Sequence, residues 1–135
     1  MDSVSEPQTA LVVEADDEMR HLMDWLFEES GYRVIDATSV DHALAWLERH
    51  ALEVSICFIE TCRYVEDGGE RFAATIAQRY PWIHLVVSTA DERSPRPHKC
   101  NGNVAVISQP WRPLDILIHA EMVRESRQNF GGMTH

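Results

Sequence analysis

Polar side chains able to do chemistry stand at the ends of apolar runs in this chain. Glu60 closes Val54-Ser55-Ile56-Cys57-Phe58-Ile59, and Glu14 closes Ala10-Leu11-Val12-Val13. Ser88 and Thr89 follow Ile83-His84-Leu85-Val86-Val87, and Gln109 lies just beyond Val104-Ala105-Val106-Ile107. Short apolar runs rich in β-branched residues read as strands buried on both faces. The carboxyl ends of such strands are where an open parallel sheet presents functional groups. Carboxylate, hydroxyl and amide are therefore the groups on offer. Other chemistries lack their parts. There is no Gly-rich phosphate loop and no nucleophile triad. The three cysteines, Cys57, Cys62 and Cys100, contain no Cys-x-x-Cys pair, and His98-Lys99-Cys100 would hold a metal only with ligands from elsewhere.

The elements that must carry these groups follow from periodicity. Met19, Leu22, Met23, Leu26 and Phe27 recur at helical spacing, with Asp16 or Asp17 as N-cap and Gly31 as the stop. Tyr32-Arg33-Val34-Ile35-Asp36-Ala37 reads as the second strand. Ser39 caps a second helix with the stripe Val40, Ala43, Leu44, Leu47. A third helix opens near Gly69, carries Phe72, Ala73, Ile76 and Tyr80 on one side, and ends at Pro81. Residues 90–103 hold Pro95, Pro97 and Gly102, so a helix there should be short or absent. Pro113 suits the first turn of a last helix, with Leu114, Leu117, Ile118 and Met122 as its expected buried stripe. Strands alternating with helices give a parallel sheet covered on both faces. Residues 1–8 read as a flexible arm, 9–127 as one domain and 128–135 as a frayed tail.

Composition narrows the function. Of the 135 residues, 44% are hydrophobic and 25% charged, as expected of an ordinary folded domain, with a net charge of −10. That charge argues against nucleic acid and against an anionic membrane surface, leaving a protein partner as the default. No apolar run approaches the roughly 18 residues of a membrane span. The acidic, polar N-terminus is unlike a secretory signal, so a cytoplasmic location is expected.

Taken in order, these segments resemble a response-regulator receiver domain of two-component signalling. Leu11-Val12-Val13-Glu14 is similar to the family's first strand and first acid. Asp67-Gly68-Gly69-Glu70 is similar to the Asp-Gly-x-Glu that opens the third helix. Ile83 to Ser88 resembles strand four with its terminal hydroxyl, and Gln109-Pro110-Trp111 resembles the Lys-Pro-aromatic after strand five. The resemblance covers roughly residues 9–125. It implies a flavodoxin-like doubly wound five-stranded parallel sheet in the order 2-1-3-4-5 and a three-layer α/β/α arrangement, from which the Pro95-Pro97 segment departs by making the fourth helix short or absent.

In that family an Asp after strand three accepts phosphate from a phosphohistidine, helped by Mg²⁺ on two acids after strand one and by a Lys after strand five. The resemblance places Glu60 at the acceptor position by counting back from Gly68; counting forward from the second helix leaves Phe58 and Ile59 as alternatives. It places Glu14 and Ala15 at the acid pair, Ser88 (or Thr89) at the switch hydroxyl, Gln109 at the lysine, Pro110 at a cis-proline, and Trp111 at an interface. One acid, the lysine and the aspartate are thus replaced. Glu carries an extra methylene, and a misplacement of about 1 Å can cost on the order of 100-fold in rate.

The expectation is a degenerate, single-domain pseudo-receiver. It would act without catalysis, through contact with a histidine kinase, another signalling protein or a second copy of itself. It would have no cofactor and a degraded Mg²⁺ site, and Glu60 would serve as a partial mimic of the phosphorylated acceptor near Ser88. The alternative is a phosphorylatable regulator using Glu60 with weak Mg²⁺ binding.

Overall fold

The computed structural model describes residues 8–63, 65–90 and 104–133, with side chains described to residue 126. Its strands are β1 (Thr9–Val13), β2 (Arg33–Ala37), β3 (Val54–Thr61), β4 (His84–Thr89) and β5 (Val104–Ser108). Its helices are α1 (Asp17–Glu29), α2 (Val40–His50), α3 (Gly69–Arg79) and α4 (Pro113–Met133), with a short 3-10 turn at Ala51–Glu53. The strands form one parallel sheet in the order β2-β1-β3-β4-β5. The proline-bearing segment of residues 91–103, where a short or missing helix is expected, lies outside the described residues, as does most of the N-terminal arm.

β3 is the centre because its alternate residues feed both faces. Ile56 and Phe58 pack with Met23, Leu26 and Phe27 of α1 and with Ile116, Ala120 and Val123 of α4. Cys57 and Ile59 pack with Ala43 and Leu47 of α2 and with Phe72, Ala73 and Ile76 of α3. Strand alternation puts these two sets on opposite sides of the sheet. Ser55 is the extra residue of a bulge, since Thr9 pairs with Val54 and Ala10 with Ile56; its hydroxyl donates to Gln8 Oε1 at 3.0 Å.

The helix ends follow local chemistry. Asp16 accepts from the Met19 N–H at 2.8 Å, and Ser39 from the His42 N–H at 3.1 Å. Each satisfies a donor that the first helical turn leaves free. Gly31 takes φ +93°, and a Cβ there would sit 3.2 Å from the Arg124 guanidinium. That guanidinium donates to Ser30 O at 2.8 Å, while Tyr32 Oη donates to Ala120 O at 2.7 Å. These bonds fix the rotation of α4 against the loop after α1.

That rotation corrects the expected stripe of the last helix. Ile116, Ala120 and Val123 are buried with Leu117 partly so, whereas Leu114, Ile118 and Met122 are exposed. Two apolar lines run along this helix, and periodicity does not choose which one faces the sheet. On α1, Leu22 also lies outside the core, at 38% exposure. The helix after β5 runs on to Met133, into the stretch read from sequence as a tail. Among the described residues no helix is long and apolar enough to cross a membrane.

One pair of acids crosses from α1 to β2. Burial, then a shared hydrogen bond and repulsion from Asp36, push the Asp24 carboxyl up to about 7. A raised carboxyl pKa means that the folded chain holds the proton where the unfolded chain has lost it. Stability from this group is therefore complete below about pH 4 and is lost as pH rises through about 7. Asp24→Asn should flatten that decline and raise stability at pH 8 by about 1 kcal/mol, after allowance for solvent screening. Urea unfolding of both proteins across pH 4–8 reads it.

Candidate functional site

The polar strand ends meet at one edge of the sheet. Glu60 pairs with Ser88, and Ile59 pairs with Val13, which brings Glu14 and Glu60 side by side at the carboxyl end. By alternation, Glu60 and Ser88 share the face covered by α1 and α4, while Thr61 and Thr89 share the other. Phe58 and Ile59 are buried within β3, Phe58 toward α1 and α4 and Ile59 toward α2 and α3.

The Glu60 carboxylate is held by a neutral donor. Trp111 Nε1–H donates to Glu60 Oε1 at 3.0 Å, and the indole packs edge-on against Phe58 with centroids 5.8 Å apart. Trp111 follows a cis Gln109–Pro110 peptide. The Gln109 amide is used elsewhere: Nε2 donates to Thr61 O at 3.1 Å, and its backbone N–H donates to Thr89 O at 3.3 Å. Ser88 Oγ is fully buried and, among the described residues, has no hydrogen-bond partner; Thr61 Oγ1 is in the same position.

Glu14 is 8% exposed. Its Oε2 accepts from the Asp16 N–H at 2.9 Å, while Oε1 is buried without a partner. Burial raises its pKa most; the Asp16 N–H opposes this, and the charges of Glu60 and Asp16 add to it. Arg20 lies close but turns to the Glu14 and Ala15 carbonyl oxygens and to the carboxylates of Asp17 and Asp36. Asp67 Oδ2 accepts from the backbone N–H of Cys62 at 2.9 Å and of Arg63 at 2.8 Å, folding the loop after β3 against the site.

Two hollows meet at Glu60. One of about 260 Å³ is lined by Glu14, Ala15, Ser39, Glu60, Thr61 and Asp67 among others. The second, an open groove of about 480 Å³, runs between Met19 and Leu22 on α1 and Pro110, Trp111 and Pro113 beyond β5, with Glu60 again in its wall. Among the described residues no cluster of three His, Cys, Asp or Glu side chains is placed to hold a metal ion.

No protein-family model matches the chain. A 92-residue stretch is 33% identical to the alginate biosynthesis transcriptional regulatory protein AlgB of Pseudomonas aeruginosa, covering 67% of this chain and 20% of that protein. The chain thus spans about a fifth of the length of that relative. The signal receiver domain of an HD domain-containing protein from Pseudomonas fluorescens superposes with a TM-score of 0.72 at 19% identity, over 98% of this chain and 97% of that one. A response regulator receiver domain protein from Clostridium thermocellum does so with a TM-score of 0.76 at 14% identity, over 91% and 98%. The chain has the fold of a response-regulator receiver domain.

In a receiver fold the carboxyl edge of the sheet is the site-bearing edge, and here it carries Glu14, Ala15, Glu60, Ser88 and Gln109 together. Three features of this receiver-fold edge escaped the sequence reading. The Trp111–Glu60 bond joins residues 51 positions apart, and no local pattern signals it. Thr61 extends β3 beyond the carboxylate and supplies the carbonyl that occupies Gln109. Asp67 pins the loop; its place seven residues after Glu60 was the available clue. His84 of β4 contacts His119 Nδ1 through Nε2 at 3.1 Å, and burial pushes its pKa down to about 4.

Proposed function

We propose that the chain is an atypical, pseudo-receiver module of two-component or phosphorelay signalling. It acts by contact with a histidine kinase, another signalling protein or a second copy, without enzymatic activity and with impaired or absent phosphoacceptance. The observation that carries this reading is the hold on Glu60: its carboxylate accepts from the Trp111 indole, and among the described residues no ammonium stands beside it, Gln109 bonding the Thr61 carbonyl instead.

Transfer of a phosphoryl group to a carboxylate brings negative charges together, and the barrier falls only where fixed positive charge meets them. An indole N–H and an amide supply dipoles but no charge. The donor set fits Mg²⁺ poorly as well. Ala15 has no side-chain oxygen, and Asp67 Oδ2 is engaged by two backbone N–H groups. Mg²⁺ demands near-octahedral oxygen ligands and gives up its waters reluctantly. With Glu60 turned to Trp111, the buried Ser88 hydroxyl is left without the bond it would make to a loaded acceptor.

A Mg²⁺ titration followed by amide NMR tests the reading. The expected result is no saturation of the Glu14 and Glu60 signals in the millimolar range. Saturable binding tighter than about 1 mM favours the phosphorylatable alternative that uses Glu60.

A further inference from the structure

The geometry points to the groove beside Glu60 as the receptor for one arginine side chain of a protein partner, whose guanidinium pairs with the Glu60 carboxylate while the Glu14 charge in the adjoining hollow adds to its attraction. The inference deepens the reading of the domain as a contact module and rests on it.

Charge comes first. Glu14 is more than nine-tenths buried with Oε1 unpartnered, and Glu60 stands beside it with only a neutral donor on Oε1. Among the described residues neither carboxylate has an ion-pair partner, because Arg20 is spent on Asp17, Asp36 and backbone oxygens. Two carboxylates at a half-buried edge are costly without a cation, and each raises the other's affinity for one. The repulsion is already visible in the raised Glu14 pKa, to which the Glu60 charge contributes after burial.

Shape comes second. Glu60 lines both the groove and the smaller hollow that Glu14 also lines, so the groove reaches the Glu60 carboxylate with the Glu14 charge in the adjoining hollow. Its other walls are the apolar Met19, Leu22, Pro110, Trp111 and Pro113, with the Gln109 amide as the one polar addition among the described residues. A bare metal ion or ammonium gains nothing from such walls. A long side chain with a methylene stem and a charged head uses them fully. Arginine fits better than lysine, because its planar guanidinium stacks on an indole and meets carboxylates in a two-pronged fashion. The net charge of −10, with Asp16, Asp17 and Glu18 at the groove's end of α1, steers a basic partner segment toward it.

The test uses the full chain and n-butylguanidinium as probe, with n-butanol as the uncharged control, followed on the Trp111 indole N–H and Glu60 amide signals. The expected result is a saturable shift of both with the guanidinium and none with the alcohol. Glu60→Gln should weaken binding about tenfold or more, the scale of one charge-assisted hydrogen bond. Leu22→Lys, at a half-exposed wall position, should weaken it similarly by placing a fixed charge at the mouth. Equal binding of n-butanol, unchanged affinity in both variants, or no saturable shift would overturn the inference. Failure here leaves the contact-module reading standing. Uptake of phosphate from acetyl phosphate would instead overturn that reading without touching the titration.

Discussion

The chain carrying Ala15→Asp, Glu60→Asp and Gln109→Lys together should take up close to one phosphoryl group per molecule from acetyl phosphate and Mg²⁺, at a rate at least about 100-fold above the unaltered protein. Each substitution addresses a separate deficit. Asp at 60 is shorter by one methylene, which withdraws the carboxylate from Trp111 Nε1. Asp at 15 adds a second oxygen ligand beside Glu14 at the mouth of the inner hollow. Lys at 109 exchanges an amide that bonds Thr61 O for an ammonium able to meet the incoming charge. The single substitutions should each achieve far less, because groups that act as a unit are strongly non-additive. Time-resolved intact mass spectrometry reads the result. A triple variant no faster than the starting chain would place the block outside these three positions.

Phe58→Ala has the largest expected effect on stability, a loss of about 3–5 kcal/mol. Phe58 is fully buried at the centre of β3, and its ring is the edge-on partner of Trp111. The substitution therefore opens a cavity under α1 and α4 and removes the support that holds the indole toward Glu60. Urea unfolding should show a lower midpoint. The Trp111 indole N–H signal should move toward the position of a solvent-bonded indole in the folded variant. An unchanged indole signal would mean that the bond to Glu60 stands without Phe58.

Most of the fold was readable because each strand combines an apolar run with a clear end. Ala10 to Val13, Val54 to Ile59 and Ile83 to Val87 lie within one or two residues of the observed strands, and Asp16, Ser39 and Gly31 mark helix ends by mechanisms that need only local sequence. The face of α4 was not readable. Leu114, Ile118 and Met122 match helical spacing as well as Ile116, Ala120 and Val123, and the choice is made by Tyr32 and Arg124, which bond across long sequence separations. At the site, which residues gather was legible from strand ends. What they bond to was not, since the partners of Glu60 and Gln109 are set by the packing of Trp111 on Phe58 and by one more residue of β3.

The central claim is that Glu60 occupies an acceptor's position without accepting phosphate. Its most direct test is the intact mass and peptide map of the unaltered chain after prolonged incubation with acetyl phosphate and Mg²⁺. The account predicts an unmodified chain, with the Trp111 indole signal unchanged throughout. A stoichiometric phosphoryl adduct mapped to Glu60 would contradict it.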